Sequence, residues 1–337
     1  LATCAFTLAF LLIFLPYTVF HEAISWMIQG VLWISRQSYG MLTIGHVPFL
    51  WVLLFYFMTG LWIWKKNGQN RHIRISLAYV IMIILIWIPM ARRKSLAFLD
   101  VGQGDCFVAD TKSGAIIFDG GSSSEDQVGR YRILPYMKYL GYQKIQIAVI
   151  SHMDIDHYSG IKELLEMGKI KYLGLPEIPK DETMKKIIGI AKKRGTTIFY
   201  LSRGRQITTK DGSLKVLHPQ KNSQMEKNAA SLVMQGKILG YRVLLTGDVE
   251  KEGEEELLSE ELERADILKA AHHGSKNSTS NEFLQKVQPK QTVISCGKQN
   301  RYGHPHLETI HRLQTYRTKI YRTDRSGAII FFKRRDG

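Results

Sequence analysis

The sequence has 337 residues and a formal net charge of +16 at pH 7, so it is long enough for two regions and basic enough to attract polyanions. Its three cysteines (Cys4, Cys106 and Cys296) are too few and too scattered for a disulfide framework or a cysteine-based zinc site. Residues 1–94 contain eight Lys/Arg and one acid, which accounts for seven of the sixteen net positive charges. Because the composition changes there, we predict one region over 1–94 and a second over 95–337.

Apolar stretches dominate the first region. Residues 1–20, 47–64 and 75–90 are candidates for transmembrane helices, each of which needs roughly 20 apolar residues. Residues 21–39 mix aromatic and aliphatic side chains with polar ones, which predicts either an interfacial amphipathic helix or a packed connector. The chain starts at Leu1 without the basic segment or cleavage site of a secretory signal, so we expect it to be part of a longer protein.

The second region alternates short apolar runs with amphipathic segments, which indicates an α/β domain. The predicted strands cover 96–99, 106–109, 115–118, 145–150, 214–217, 232–235, 243–245, 267–270, 292–295, 320–322 and 328–332. The predicted helices cover 130–140, 161–166, 182–194, 252–259, 281–287 and 307–316. This order favours two mixed sheets stacked face to face, with the helices outside.

Four possible metal ligands follow the predicted strand 145–150 within six residues: His152, Asp154, Asp156 and His157. One such residue after a strand is usually a cap or a turn. Four would place several unpaired polar groups next to the core, which is costly unless a cation binds them. Two more strand ends carry ligand-type residues, namely Asp248 after a Gly turn, and the pair His272 and His273.

The three clusters together resemble the ligand motifs of the metallo-β-lactamase superfamily, with Asp154 where the second histidine usually stands. The runs at 99–105, 118–121, 297–306 and 321–324 are similar to the ComEC/Rec2 family of competence DNA-uptake channel proteins. This resemblance implies a metallo-β-lactamase-type αββα sandwich preceded by transmembrane helices.

The resemblance also implies a site for two divalent metal ions. It assigns His152, Asp154 and Asp248 to one ion, and Asp156, His157, Asp248 and His273 to the other. The choice between His272 and His273 stays open, with the remaining histidine beside the substrate. We expect catalytic roles for Asp156, His272, Lys276 and His304, and substrate binding by Asn228, Ser231, Arg301 and His306.

Three features of this predicted site depart from the superfamily pattern or extend it. A middle histidine ligand is not recognisable; His218 is a candidate, although an ordinary strand-end histidine is the more common explanation. Asn228 and Ser231 match a segment of the family and are expected to complete a weaker first site. We expect Asp105 to orient a metal ligand or a loop without binding the metal itself. Because Asp154 replaces an imidazole by a carboxylate, manganese is favoured over zinc or magnesium.

Three functions are compatible with these residues. The favoured one is a metal-dependent nuclease that hydrolyses DNA phosphodiesters beside a membrane channel during natural competence. A phosphodiesterase similar to phosphocholine esterases is the second, and a noncatalytic channel or DNA-binding module is the third. The absent middle histidine argues against β-lactam hydrolysis. The implied partners are DNA, the lipid bilayer, the remaining channel region and other proteins of the competence machinery.

The location of the domain is predicted from the flanking charges. Four Lys/Arg lie in 65–74, between the last two candidate spans, and three lie at 92–94. The positive-inside rule therefore favours a multi-pass protein of the cell membrane with the hydrolase domain outside the cytoplasm.

Overall fold

A computed structural model describes residues 29, 45–47, 49–64, 93–225, 228–260 and 262–334. Backbone contacts divide the chain into Leu1–Ile44 and Gly45–Gly337. In the first unit only Gln29 is described, and it is helical and exposed. The candidate spans 1–20 and 75–90 lie outside the described residues, so both stay predictions, as does the boundary near residue 94.

Helix α1 (Phe49–Trp64) occupies most of the second candidate span, residues 47–64. Its 16 residues include no charged side chain, and Phe49, Leu50 and Phe57 are exposed. Among the residues that the structure describes, no helix combines the length and the apolar character that crossing a bilayer requires. Just before α1, the backbone N–H of His46 donates to the carbonyl of Tyr139 at 3.0 Å.

The rest of the described chain is built from fourteen strands in two sheets. The strands are β1 (Ser95–Phe98), β2 (Phe107–Thr111), β3 (Gly114–Phe118), β4 (Ile145–Val149), β5 (Ile170–Pro176), β6 (Thr197–Leu201), β7 (Gln206–Thr209), β8 (Gly212–His218), β9 (Val233–Ile238), β10 (Tyr241–Leu245), β11 (Ile267–Lys269), β12 (Gln291–Ile294), β13 (Lys319–Arg322) and β14 (Ile329–Phe332). The first sheet has the order β14-β1-β2-β3-β4-β5-β6, and the second has the order β13-β12-β11-β10-β9-β8-β7.

Helices cover the outer face of each sheet. They are α2 (Leu134–Tyr139), which continues a π-helical turn (Gly129–Ile133), α3 (Ile155–Glu166), α4 (Glu182–Lys193), α5 (Lys251–Leu258), α6 (Asn281–Val287), α7 (Leu307–Thr315) and the short α8 (Thr323–Ser326). The apolar side chains form three buried clusters, one between the sheets and one under each helical layer. Because successive side chains of a strand point to opposite faces, one strand can contribute to two of these clusters. In β1, Leu96 and Phe98 point into the space between the sheets, whereas Ala97 points toward the helices. The predicted αββα sandwich is confirmed.

Sequence reasoning missed three strands, the start of helix α3 and the short helix α8. Strand β5 contains Gly174 and ends at Pro176, and both residues interrupt a strand pattern. Strands β6 and β7 alternate poorly because most of their side chains are half-buried or exposed. Helix α3 begins at Ile155 rather than at residue 161, so Asp156 and His157 lie in its first turn rather than in a loop.

Five strand ends meet at one edge of the sandwich. Strands β3 and β4 are parallel neighbours in the first sheet, and β10, β11 and β12 are parallel neighbours in the second. Because the carboxyl ends of parallel strands lie together, the segments that follow these strands converge, which is the usual position of a site in α/β proteins. All three clusters of ligand-type residues lie in these segments.

Candidate metal centre

The segment after β4 places its four ligand-type residues around the start of α3. His152 precedes the helix, Asp154 is its N-cap residue, and Asp156 and His157 form its first turn. This turn packs against Gly121, where a Cβ atom would lie 2.5 Å from the carbonyl oxygen of Ile155. Only glycine permits that approach, so the Gly-Gly pair after β3 is part of how the sequence positions the site.

His157 is held from both sides of its ring. Its Nδ1 lies 3.0 Å from a carboxylate oxygen of Asp119, and its Nε2 lies 3.2 Å from Oδ2 of Asp248. The Asp119 carboxylate also accepts a 2.7 Å hydrogen bond from the backbone N–H of Ser151. An Nδ1–H that donates to Asp119 leaves Nε2 as the free nitrogen, which is the tautomer that a metal ligand needs.

His273 has the same arrangement with a different partner. Its Nδ1 donates to the carbonyl oxygen of Ser295 at 2.9 Å, and its Nε2 lies 3.4 Å from both Asp156 and Asp248. His272 and His273 adopt φ values of 47° and 53°, in the left-handed region that costs a non-glycine residue roughly 1–3 kcal/mol. The left-handed conformation of these two residues directs the His273 ring toward the carboxylates of Asp156 and Asp248.

Asp248 projects from a turn that glycine makes possible. Gly247 has a φ of 51°, and an added Cβ would lie 3.0 Å from the Ser151 side chain. Behind the turn, the buried ammonium of Lys269 donates to the Gly247 carbonyl at 2.9 Å and lies 3.5 Å from Oδ1 of Asp248. Oδ2 of Asp248 therefore faces the histidines while Oδ1 faces a cation.

Asp105 lies on the Nδ1 side of His157 and His273. Its carboxylate forms an ion pair with Lys269, and its oxygens lie 3.8 Å and 3.7 Å from Nδ1 of His157 and His273. Ligand atoms of Asp105, His157, Asp248 and His273 all lie within 4.8 Å of one another. Because Asp105 is neutralised by Lys269 and faces the Nδ1 side, we take Asp156, on the Nε2 side, as the better candidate ligand.

The buried imidazoles are chemically suited to a cation. Within the described chain, Nε2 of His152, His157 and His273 is buried without a hydrogen-bond partner. Leaving a buried polar nitrogen unpaired costs about 1–3 kcal/mol, and a divalent ion would remove that cost at several atoms at once. Because these nitrogens converge with the carboxylates of Asp156 and Asp248, the residues present fit a metal ion.

Without a metal, the charges in the site strongly couple its pKa values. Burial alone lowers the pKa of His157, but the carboxylates of Asp248 and Asp119 outweigh it and raise that pKa well above its usual value. The pKa of His273 is also raised, because Asp248 and Asp105 outweigh burial. For Asp156, burial raises the pKa, but the His273 and His157 rings lower it to about 2. The carboxylates therefore favour a positive charge at the centre.

The other part of the centre is more open. His152 Nε2 lies 3.7 Å from Oδ2 of Asp154, whose side chain is 37% exposed. Among the described residues, the hydrogen-bond partners of His152 Nδ1 are the hydroxyls of Ser151 at 3.0 Å and Ser231 at 3.3 Å. Burial and the charge on His157 hold the pKa of His152 well below its usual value. We call His152 and Asp154 the outer half, and Asp156, His157, Asp248 and His273 the inner half.

His218 is not part of this centre. Its Nδ1 lies 2.8 Å from a carboxylate oxygen of Glu256, and its Nε2 donates to the carbonyl of Ala229 at 2.7 Å. Because Nε2 is hydrogen-bonded and Nδ1 faces Glu256 rather than the candidate ligands, His218 is the ordinary strand-end histidine of the alternative interpretation. Ser231 instead approaches the centre, where its hydroxyl accepts from the backbone N–H of Asp248 at 3.3 Å.

A ring of histidines borders the inner half. His272 is partly exposed, with Nδ1 2.8 Å from Glu250 and Nε2 3.8 Å from Asp248. His304 packs edge-on against His272 and parallel to His273, at centroid distances of 5.4 and 6.2 Å. Burial and the charge on His273 lower the pKa of His304 to about 4, so this ring is neutral at pH 7. His306 accepts from the backbone N–H of Lys276 at 3.1 Å through Nδ1.

Predicted catalytic and substrate-binding residues lie in several places around the centre. Asn228 and Lys276 line a groove of about 1250 Å³ beside the centre, whereas Arg301 lies on the loop that ends at His304. The groove is rich in carboxylates; besides those two residues its wall includes Ala229, Glu250, Lys251, Glu252, Glu254, Glu255, Asn277, Ser278, Ser280, Asn281, Glu282 and Arg312. The groove and the loop are linked through His306, which accepts from the backbone N–H of Lys276 and packs edge-on against the His304 ring at a centroid distance of 4.9 Å.

Several residues of the site were missed by sequence reasoning. Asp119, Lys269 and Glu250 contact ligand-type side chains, but each is 21 to 38 residues away from its partner along the chain. Asp119 is the second residue of the run 118–121 already singled out, and Lys269 lies three residues before the His272-His273 pair. Their burial is the signal that marks them, and it is visible only in the fold.

The chain was compared with known proteins. The family model of the metallo-β-lactamase superfamily matches residues 99–298. ComE operon protein 3 of Bacillus subtilis (strain 168) is 34% identical over 294 residues, which cover 81% of this chain and 38% of that protein. Competence protein ComA of Neisseria gonorrhoeae is 30% identical, covering 71% of this chain and 32% of that protein.

Recombination protein 2 of Haemophilus influenzae (strain ATCC 51907 / DSM 11121 / KW20 / Rd) is 27% identical over 268 residues, covering 78% of this chain and 32% of that protein. The chain thus spans less than two fifths of the length of these relatives. The family model covers all three segments that carry the candidate ligands.

Proposed function

Because this chain belongs to the metallo-β-lactamase superfamily, a metal-dependent hydrolase fold, we propose that it hydrolyses phosphodiester bonds of DNA beside a DNA-uptake channel. The observation that carries the proposal is the set of buried, unpaired Nε2 atoms that converge with Asp156 and Asp248. The names of the relatives, a ComE operon protein and a competence protein, support DNA uptake as the setting.

In this proposal the candidate ligands form two metal sites that share Asp248. His157, His273, Asp156 and Asp248 would hold one divalent ion, and His152 and Asp154 would complete a second site with Asp248. Bound there, such ions supply a lowered pKa for water and electrostatic stabilisation of a phosphodiester oxygen. The bilayer and the remaining channel region are the proposed partners besides DNA, and an extracytoplasmic location remains part of the proposal.

Proton transfer to the leaving oxygen falls to His272 in this proposal. Its Nδ1 is 2.8 Å from Glu250, which orients the ring, and its Nε2 points toward the centre, 3.8 Å from Asp248, where a proton on this nitrogen could reach the leaving oxygen. The neutral His304 ring packs against it and limits its movement. Asp156, with a pKa of about 2, is ionised at neutral pH and is not a proton donor.

The direct test is cleavage of labelled DNA. The full chain, solubilised in detergent, is incubated with single- and double-stranded DNA in the presence of manganese, magnesium or zinc. We expect metal-dependent cleavage that is lost in the Glu250→Gln/His272→Ala double variant. Absence of cleavage with all three metals, at confirmed metal occupancy, would contradict the nuclease proposal.

The carboxylate-rich groove supports a second candidate, a phosphodiesterase for a small cationic group such as phosphocholine. Glu250, Glu252, Glu255 and Glu282 would attract a quaternary ammonium and repel a nucleic-acid backbone. One series of assays distinguishes the two candidate activities. Hydrolysis of a phosphocholine ester that exceeds DNA cleavage, and that falls in a Glu252→Gln/Glu255→Gln variant, would favour this second activity.

A further inference from the structure

A loop beside the inner half ends in an exposed tyrosine. Tyr302 is 43% exposed, and the plane of its ring lies 20° from that of His304 at a centroid distance of 5.7 Å. The His304 ring in turn stacks on that of the candidate ligand His273, at 30° and 6.2 Å. Three nearly parallel rings therefore lead from the inner half to the surface, and Tyr302 is the outermost of them.

Arg301 adds a cationic plane to this tyrosine. Its guanidinium carbon lies 4.9 Å from the centre of the Tyr302 ring, and the same group donates to the phenol oxygen at 2.7 Å. Arg301 is itself exposed. An aromatic ring and a guanidinium plane, side by side and open to solvent, are the two surfaces on which proteins stack unpaired bases.

The loop that presents this pair is held in place by hydrogen bonds. The side-chain amide of Asn300 donates to the carbonyls of Gly297 and His304 at 2.9 and 2.6 Å, and accepts from the backbone N–H of His304 at 3.0 Å. The backbone N–H of Gly297 donates to Gln103 at 3.0 Å. Because the loop is already ordered, little conformational entropy is lost when a ligand binds it.

We propose that Tyr302 and Arg301 form a stacking platform for one unpaired nucleobase of the nucleotide beside the phosphodiester at the metal centre. The inference rests on the proposed function for the identity of its ligand, and it adds the substrate class: a strand whose bases are accessible, rather than a fully paired duplex. A base has a π-face whatever its identity, so the platform is tolerant of sequence. The acidic groove, which repels phosphates, leaves this side of the site for the strand.

The test compares two strands that carry the same phosphates. Binding of the full chain to a labelled single strand of thymidines, and to an abasic strand of equal length, is measured by fluorescence anisotropy in EDTA. We expect the parent to bind the base-bearing strand more tightly. Tyr302→Ala should raise the Kd for that strand by about 5- to 150-fold and leave the abasic strand unchanged.

Two variants separate stacking from loss of fold. Tyr302→Phe keeps the ring and should retain most of the preference for bases. Tyr131→Ala, at a tyrosine 64% exposed on the π-helical turn, should behave as the parent. Equal binding of the two strands by the parent, or an unchanged preference in Tyr302→Ala, would overturn the platform.

Hydrolysis of the same strands with manganese distinguishes failure of the platform from failure of the proposed function. Cleavage without any dependence on bases or on Tyr302 would leave the nuclease proposal standing and refute the platform. A base preference in binding that is lost in Tyr302→Ala, without cleavage of either strand, would support the platform and refute the nuclease. If both proposals hold, Tyr302→Ala raises KM for the base-bearing strand far more than it lowers kcat.

Discussion

The inner and outer halves of the centre differ in what stands behind their imidazoles. In the inner half, His157 is backed by the Asp119 carboxylate and His273 by the Ser295 carbonyl. In the outer half, Nδ1 of His152 is instead backed by the hydroxyls of Ser151 and Ser231. A carboxylate or carbonyl partner on Nδ1 fixes the tautomer of a histidine ligand and increases its basicity, so we expect the inner half to bind its ion more tightly.

Burial separates the halves in the same direction. The histidines of both halves are buried, but the Asp156 side chain of the inner half is 15% exposed and its Asp248 is buried, whereas the Asp154 side chain of the outer half is 37% exposed. Charges interact more strongly where water is excluded, so each ligand of the inner half contributes more to binding an ion. Two metals in one centre therefore need not be equivalent, and the backing groups decide which one is firmly held.

The largest effect is expected for Asp156→Ala. Removing this carboxylate deletes an ionised ligand of the inner half, and we expect hydrolysis to fall by about a thousandfold because several kcal/mol of metal-dependent stabilisation are lost. Activity, metal content and circular dichroism are measured together. Asp154→Ala is the matched control in the outer half and should cost less. Activity near the parent level in metal-saturated Asp156→Ala would remove the inner half from the mechanism.

The backing groups are compared directly by Asp119→Asn and Ser231→Ala. An asparagine would still accept from Ser151, but its amide would face Nδ1 of His157 and favour the wrong tautomer. We expect the affinity for the first metal to fall by about 10- to 100-fold in Asp119→Asn. Chelator competition measures it, and Ser231→Ala should change it only slightly. A greater loss in Ser231→Ala would reverse the ranking of the halves.

The raised pKa values of His157 and His273 predict opposite pH effects on the apo and metal-bound forms. In EDTA, the stability from protonating these rings is complete below about pH 6.5 and is lost as pH rises through their raised folded-state pKa values. Metal binding displaces the same protons, so its affinity should rise with pH, by up to about tenfold per unit for each proton. Unfolding in urea and metal titrations across pH 6 to about 9 check both signs. A metal affinity independent of pH would contradict these shifts.

The smallest effect is expected for Asp154→His. An imidazole in the outer half makes it richer in nitrogen, which suits zinc more than manganese. We expect the parent to be more active with manganese than with zinc, and the variant to shift that ratio a few-fold toward zinc. Metal content is measured beside activity, because a rate set by the inner half alone would hide the shift. A parent fully active with two zinc ions, and not improved by manganese, would show that ligand type does not govern this half.

The candidate ligands could be predicted because their pattern is local. His152, Asp154, Asp156 and His157 lie within six residues after one buried strand, and the strand itself is marked by its apolar run. Asp248 and the His272-His273 pair likewise follow strands that were recognised. Strand-end position is enough to bring such residues to one edge of a sandwich, because parallel strands align their carboxyl ends.

Local sequence patterns did not predict the finer features of the site or every strand of the fold. The choice between His272 and His273 depended on two left-handed residues, whose φ values decide which ring turns inward. The strands β5, β6 and β7 were missed because glycine, proline and partial exposure weaken the alternation on which strand prediction depends. Each of these is decided by packing against other elements rather than by neighbours in the chain.

The sequence by itself determined the sandwich fold and the strand ends that carry the candidate metal ligands, because both follow from the spacing of apolar and ligand-type residues along short segments. Only the tertiary structure decided what surrounds those ligands. Asp119 reaches His157 across 38 positions, Lys269 reaches Asp248 across 21, and Tyr302 reaches the centre through the His304 ring. Hydrogen bonds, charge pairing and stacking act over a few ångströms in space, so contacts between distant segments exist only once both sheets have come together.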